Sequence, residues 1–231
     1  MIRPLTLLSI FSLLLSISLP AQEKRERELE LNSGAEIVSS YIWRGQNYSH
    51  TPSLQPWAEL SWRGFTFGTW GAFRITGQGD DEINFYISKE TGPLTIAIWD
   101  YWSYSKTNPS QYFNYEPATT SHMFEGQAML SFGEENRFNF LFSSIFYGSD
   151  PSKSIYGEAE YVKSFGRNQI SLFTGYQFKG EYYASSAGFV NLGCSYLRHL
   201  PLNEKLASYI SLSFIVNPSA SSTYFIVAVG I

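Results

Sequence analysis

The chemistry this chain could do starts from its carboxylates. Glu36, Glu59, Glu82, Glu125, Glu158 and Glu160, with Asp100, Asn84, Gln127, Arg44 and Arg74, are spaced so that they fall on one face of successive strands. A passage lined by such a set concentrates cations and repels anions. If the acids pair with the arginines, the same set closes the passage instead, and both readings stand at this point. Catalytic spacing is missing. His50, His122 and His199 are scattered and none has a partner at metal-ligand spacing. There is no Gly-x-Ser-x-Gly elbow. Met123 and Phe124 follow His122, Leu200 and Pro201 follow His199, and Pro52 separates His50 from Ser53, so no His and Ser stand two apart on a strand face. The histidines read as loop or rim residues. The expectation is a protein that is not an enzyme and uses no cofactor or metal. The Gly-rich stretch GQGDDE, residues 77–82, follows no strand–helix unit and reads as a hairpin loop.

Composition says what must position these groups. The 231 residues include 18 Phe, 16 Tyr and 6 Trp, and 16% are charged, against roughly 25% in typical soluble domains. Mean hydropathy is nevertheless -0.15, which excludes a bundle of membrane helices. Many aromatics, few charges and moderate hydropathy suit a membrane β-barrel, where only alternate residues need be apolar. The net charge of -4 gives no basic footprint for nucleic acid. Cys194 is the single cysteine, so no intrachain disulfide forms. At the N-terminus, Arg3, an apolar run from Leu5 to Leu19 and then Pro20-Ala21 read as a secretory signal cut after Ala21. The expected organisation is a signal peptide over 1–21, a charged periplasmic tail over 22–32 and a barrel over 33–231.

From Ser33 on, runs of about ten residues alternate with turn signals. They predict strands at 33–44, 53–63, 65–76, 80–90, 93–104, 120–132, 137–147, 153–165, 168–179, 186–198, 206–216 and 222–231. In RFNFLFSSIF, Phe138, Phe140, Phe142 and Phe146 share one face, and Arg137, Asn139, Leu141 and Ser143 the other. Apolar-out and polar-in is what a lipid-facing strand requires. A soluble sandwich shows the same period. The connections help to separate the two. Arg63-Gly64, Thr91-Gly92, GEEN and Gly166-Arg167 are tight turns, whereas RGQNYSHTP, SKTNPSQYFNYEPATT, YGSDPSK, KGEYYASS and NPSASS are longer. Short turns at one end and long loops at the other mark an outer-membrane barrel. Tyr41, Trp43, Trp62, Tyr101, Tyr147, Tyr161 and Tyr196 lie near strand ends, where an aromatic girdle belongs. On this reading Tyr41 and Trp43 face lipid, and Arg44 turns to the mouth of the lumen, where it either guards an open passage or pairs with carboxylates such as Glu59 or Glu82 in a closed one.

Four stretches carry a resemblance. SSYIWRG, PWAELSW, FTFGTWGAF and EINFYISKETG resemble the opening of the TorF-like porin family, proteobacterial outer-membrane proteins also described by a Gly-Cys-Trp motif. The matching positions are Tyr41, Trp43, Arg44 and Gly45, then Gly68 and Trp70, then Glu82, Asn84 and Tyr86; SIYGEAEY and FVNLGCSY look like later strands of that family. Residue 69 is Thr where the motif has Cys, and residue 84 is Asn where Asp is expected. The resemblance implies an all-β, antiparallel, up-and-down transmembrane barrel of about 12 strands in the outer membrane of a Gram-negative bacterium. It implies outer-membrane lipid, small polar solutes and the barrel-assembly machinery as partners. The expected function is a passive channel for small polar or cationic solutes, with loop 105–119 over its mouth. The alternative is a closed barrel, structural or adhesive, that works through Tyr-rich loops such as YFNYEP and KGEYYASS.

Overall fold

The protein is described here from a computed structural model covering residues 29–77, 79–105, 111–201 and 207–231. The signal-peptide reading, most of the charged tail and residues 106–110 of the long loop lie outside these. The chain forms a closed antiparallel barrel of β1 (Glu30–Val38), β4 (Ser53–Trp62), β5 (Phe65–Arg74), β6 (Asp80–Thr91), β7 (Leu94–Ser105), β8 (His122–Phe132), β9 (Asn136–Gly148), β10 (Ile155–Phe165), β11 (Asn168–Lys179), β12 (Gly188–Pro201), β13 (Ala207–Asn217) and β14 (Ser222–Gly230). Two further strands, β2 (Tyr41–Trp43) and β3 (Gln46–Ser49), form a separate hairpin.

The period-two pattern explains the wall. Along β9, Arg137, Asn139, Leu141, Ser143 and Ile145 are buried, while Phe138, Phe140, Phe142 and Phe146 are exposed. The same holds around the barrel, so that Phe67 on β5, Ile96 on β7, Leu172 on β11, Phe214 on β13 and Phe225 on β14 all present apolar surface outward. Monomeric soluble proteins rarely expose apolar patches beyond a few hundred Å²; here large apolar side chains stand outward on strand after strand.

Tight turns fix the register. Trp62 pairs with Phe65 across Arg63-Gly64, whose φ values are +49° and +76°. Two successive left-handed residues make the turn whose twist matches that of the strands it joins. The Arg63 guanidinium lies 4.8 Å from the centre of the Trp62 ring.

Closure depends on small residues inside. Glu59, Gly68 and Tyr86 form a row across β4, β5 and β6. The Tyr86 ring lies over Gly68, and its hydroxyl donates to Glu59. A Cβ at Gly68 would stand 2.1 Å from Tyr86 Cζ, so only glycine fits. Glu36, Gly230 and Tyr209 repeat the device across β1, β14 and β13, with the Tyr209 hydroxyl 2.5 Å from Glu36 Oε2. This second row bridges the β1–β14 seam, where the register runs from Glu36 opposite Gly230 to Val38 opposite Ala228 and backbone bonds between Ala35 and Ile231 and from Ser39 to Val227 extend it.

Two expectations need correction. The first strand was expected to run through Arg44; it starts at Glu30 and leaves the wall after Val38. Ser39 makes the last wall contacts, its amide 2.8 Å from Val227 O and its Oγ 3.0 Å from the Val227 amide. The chain then bends inward as β2. At the other end, residues 199–201, expected in a long connection, continue β12.

Candidate functional site

The hairpin that follows the bend fills the barrel. Trp43 pairs with Gln46 across Arg44-Gly45, whose φ values of +50° and +76° nearly repeat those of Arg63-Gly64. The sequence Trp-Arg-Gly therefore makes the same turn twice, once at the rim and once inside. Gly45 is required by contact as well as by conformation: a Cβ there would meet Val190 O at 1.8 Å. Asn217 Nδ2 donates to Gly45 O at 3.0 Å. The hairpin tip is thus held against β12 and β13.

Arg44 is buried, with 2% of its surface exposed. Its Nη1 lies 2.5 Å from Glu125 Oε1 and its Nη2 3.0 Å from Glu125 Oε2, a two-pronged pair. Nη1 also donates to the Tyr183 hydroxyl. The guanidinium lies 4.6 Å from the centre of the Trp43 ring and 4.4 Å from that of Tyr156, close enough for cation–π attraction. Tyr101 and Gln127 donate to Glu125 Oε2 at 2.9 and 2.5 Å. Trp70, Tyr86, Trp99, Tyr101, Met123 and Ile145 pack with Tyr41 and Trp43 in one buried cluster. At this level the interior is a packed core around the Arg44–Glu125 ion pair.

A second segment closes the plug. Residues 180–187, between β11 and β12, turn inward and bring Tyr182 and Tyr183 against the hairpin. Tyr182 O accepts from Gln46 Nε2 at 2.6 Å, and the Tyr182 and Tyr48 hydroxyls lie 2.9 Å apart. Burial pushes the Tyr182 hydroxyl up to about 12. Buried Gln177 shapes the segment: its Oε1 accepts from the Tyr183 and Ala184 amides, and its Nε2 donates to the carbonyls of Gly180, Ala184 and Ser186. Asp150, in the neighbouring loop, steadies the other side. It accepts from the Ser152 and Ser154 amides at 2.9 and 2.7 Å, and the hydroxyls of those serines accept from the Glu181 and Tyr182 amides. Burial alone raises the Asp150 carboxyl, but the hydrogen bonds from Ser152 and Ser154 outweigh it and hold the group below the usual carboxylate range.

Most of the polar face expected from sequence does point inward, but its members are tied up. Glu36, Glu59, Glu82 and Glu125 are buried, and each accepts from a tyrosine hydroxyl. Glu158 accepts from Tyr156 and, at 2.7 Å, from Asn191 Nδ2; Glu160 accepts from Asn139 Nδ2 at 2.9 Å. Asn84 bonds Glu82, and Arg74 bonds Asp81. Arg44 was expected at the rim, guarding the mouth or paired with Glu59 or Glu82. It meets Glu125, because the hairpin carries it into the barrel.

Asp100 is a correction. It faces outward on β7, since Trp99 and Tyr101 take the inward positions. There it lies 2.7 Å from His122 Nδ1, while His122 Nε2 lies 2.5 Å from Tyr112 O. The segment after residue 110 folds down over the outer wall, with Tyr115 stacked on the His122 ring at 4.4 Å. The girdle needs the same revision. Tyr41, Trp43 and Tyr101 are core residues. Trp62, Tyr147, Tyr161 and Tyr196 stay on the outer wall, Tyr161 bonded to Asn136 and Tyr196 to Asn168. Comparison with known protein families finds no match, and neither does comparison with curated proteins.

Tyr48, Tyr156, Gln177, Tyr183 and Asn217 were missed as parts of the plug. The doubled tyrosine of KGEYYASS was their one visible signal, and it was read as an outward-facing loop.

A cavity of about 370 Å³ remains at the loop-bearing mouth, between the hairpin and the ends of β5, β6 and β7. Tyr41, Tyr48, His50, Arg74, Asp80 and Glu82 help to line it.

Proposed function

We propose that this chain is an outer-membrane β-barrel of a Gram-negative bacterium, closed at rest by its own hairpin and meeting small polar or cationic solutes at its loop-bearing mouth. The observation that carries the closed state is Arg44, buried among aromatic rings and paired two-pronged with Glu125. Parting a buried ion pair leaves an unmet charge and costs about 3–5 kcal/mol, so thermal motion alone seldom empties the passage. The outward apolar band and the signal-like N-terminus support the membrane setting, with outer-membrane lipid and the barrel-assembly machinery as partners. The stretches around Trp43, Trp70 and Tyr86 support membership of the TorF-like porin family as part of the same proposal. The reading is not that of an enzyme.

Planar-bilayer recording of the refolded, heat-modifiable protein is the test. Steady conductance is expected only after residues 40–50 are replaced by a flexible Gly-Ser linker. Steady current through the unaltered protein would overturn the closed state. It would favour a second reading, an open porin-like channel. The observation in favour of that reading is the lining toward the short turns, where Arg137, Asn139, Gln169 and Ser171 point inward. If both forms stay silent while the loops bind a surface partner, the barrel is a closed adhesive one.

A further inference from the structure

A buried carboxyl group lines the mouth cavity. It belongs to Glu82, which is 7% exposed. A carboxylate so buried is costly unless donors or a cation meet it. Its partners are neutral: Asn84 Nδ2 at 2.6 Å and the Tyr41 hydroxyl at 3.5 Å. Arg74 stands in the same wall but is turned to Asp81, with Nη2 3.5 Å from Oδ1 and its own amide 3.1 Å from that oxygen. Among the described residues, no cationic side chain pairs with Glu82. Its solvation inside the cavity therefore rests on neutral groups and on whatever enters.

Two further features narrow what would enter. Asp80 stands two residues before Glu82 on β6 and reaches the exposed rim of the cavity. Alternate residues of a strand lie about 7 Å apart, so two carboxylates face one space at that spacing. Tyr41 and Tyr48, with ring centres 5.4 Å apart, also line it, and tyrosine rings attract cations. The volume is near the lower end for small-molecule sites, roughly 300–1,000 Å³.

We propose that this cavity binds a short organic diammonium ion, with one ammonium on Glu82 beside the two tyrosines and the other on Asp80. The inference rests on the mouth being where solutes are met, and gives that mouth a ligand class. No covalent step is involved.

The test is calorimetric titration of the refolded full chain in detergent with 1,4-diaminobutane. Saturable binding is expected, at least tenfold weaker in Glu82→Gln and severalfold weaker in Asp80→Asn, whose side chain is exposed and whose loss leaves the fold intact. Glu135→Gln, on an exposed short turn, removes the same charge and is expected to bind as the unaltered protein does. Absence of saturable binding by the folded protein, unchanged affinity in either cavity variant, or equal binding of butanedioate would each overturn the proposal. Binding in micelles is read without any current, so this result and the bilayer result fail independently.

Discussion

Arg44 and Glu125 stand 81 residues apart in the chain and meet as a two-pronged ion pair inside the barrel, 2% and 0% exposed. Removing one partner strands the other in a medium that solvates it poorly. Arg44→Ala or Glu125→Gln is expected to lower unfolding stability by about 3–5 kcal/mol, measured by denaturant titration in detergent. Replacing both by apolar residues of similar volume is expected to recover most of that loss, because the desolvation cost of both charges disappears together.

The Glu36–Gly230–Tyr209 row makes the seam sensitive to a single methyl group. At Gly230 a Cβ would stand 2.4 Å from Tyr209 Cζ. Gly230→Ala is expected to abolish heat-modifiable folding or lower the melting temperature sharply. Gly126→Ala is the comparison, since its nearest neighbour would be Phe146 at 3.9 Å, an ordinary contact. It is expected to be tolerated.

Asp150 gives the plug an acid limit. Its carboxyl is held below the usual range when folded, while the unfolded value is near 3.9. The contribution is therefore complete above pH ~4 and is lost as pH falls through the lower, folded value. Pepsin cleavage near Tyr182-Tyr183 is expected to rise toward pH 2. In Asp150→Asn the same cleavage is expected already at pH 4.

His122 is expected to strap the long loop to the outer wall. Its two ring nitrogens face two acceptors, Asp100 Oδ1 and Tyr112 O. His122→Phe keeps a flat ring under Tyr115 but loses both bonds. Chymotrypsin cleavage at Tyr112, Phe113 or Tyr115 is expected to rise severalfold, with the barrel itself still heat-modifiable.

Local pattern made the wall legible. The strand from Asn168 to Lys179 shows in sequence because its faces differ and glycine turns bracket it, and it forms between those residues. The plug was hidden for the same reason. Tyr41-Ile42-Trp43 alternates no differently from a lipid-facing strand, and Trp-Arg-Gly at 43–45 is identical to Trp-Arg-Gly at 62–64. Which of the two turns lies inside is decided by Val190, Asn217 and Glu125, far along the chain. Asp100 was misplaced because TIAIWDYW mixes its faces; the outward carboxylate lies beside His122, on which Tyr115 stacks.

The contact between Gly45 and β12–β13 also orders events in time. The hairpin lies near the beginning of the chain, yet its tip bonds Asn217, 172 residues later. Contacts of such long sequence separation form late, because the intervening chain must first be brought together. The plug's tip therefore docks only once β12 and β13 are in place, and the β1–β14 seam, whose partners lie further apart in the chain, belongs to the same late stage.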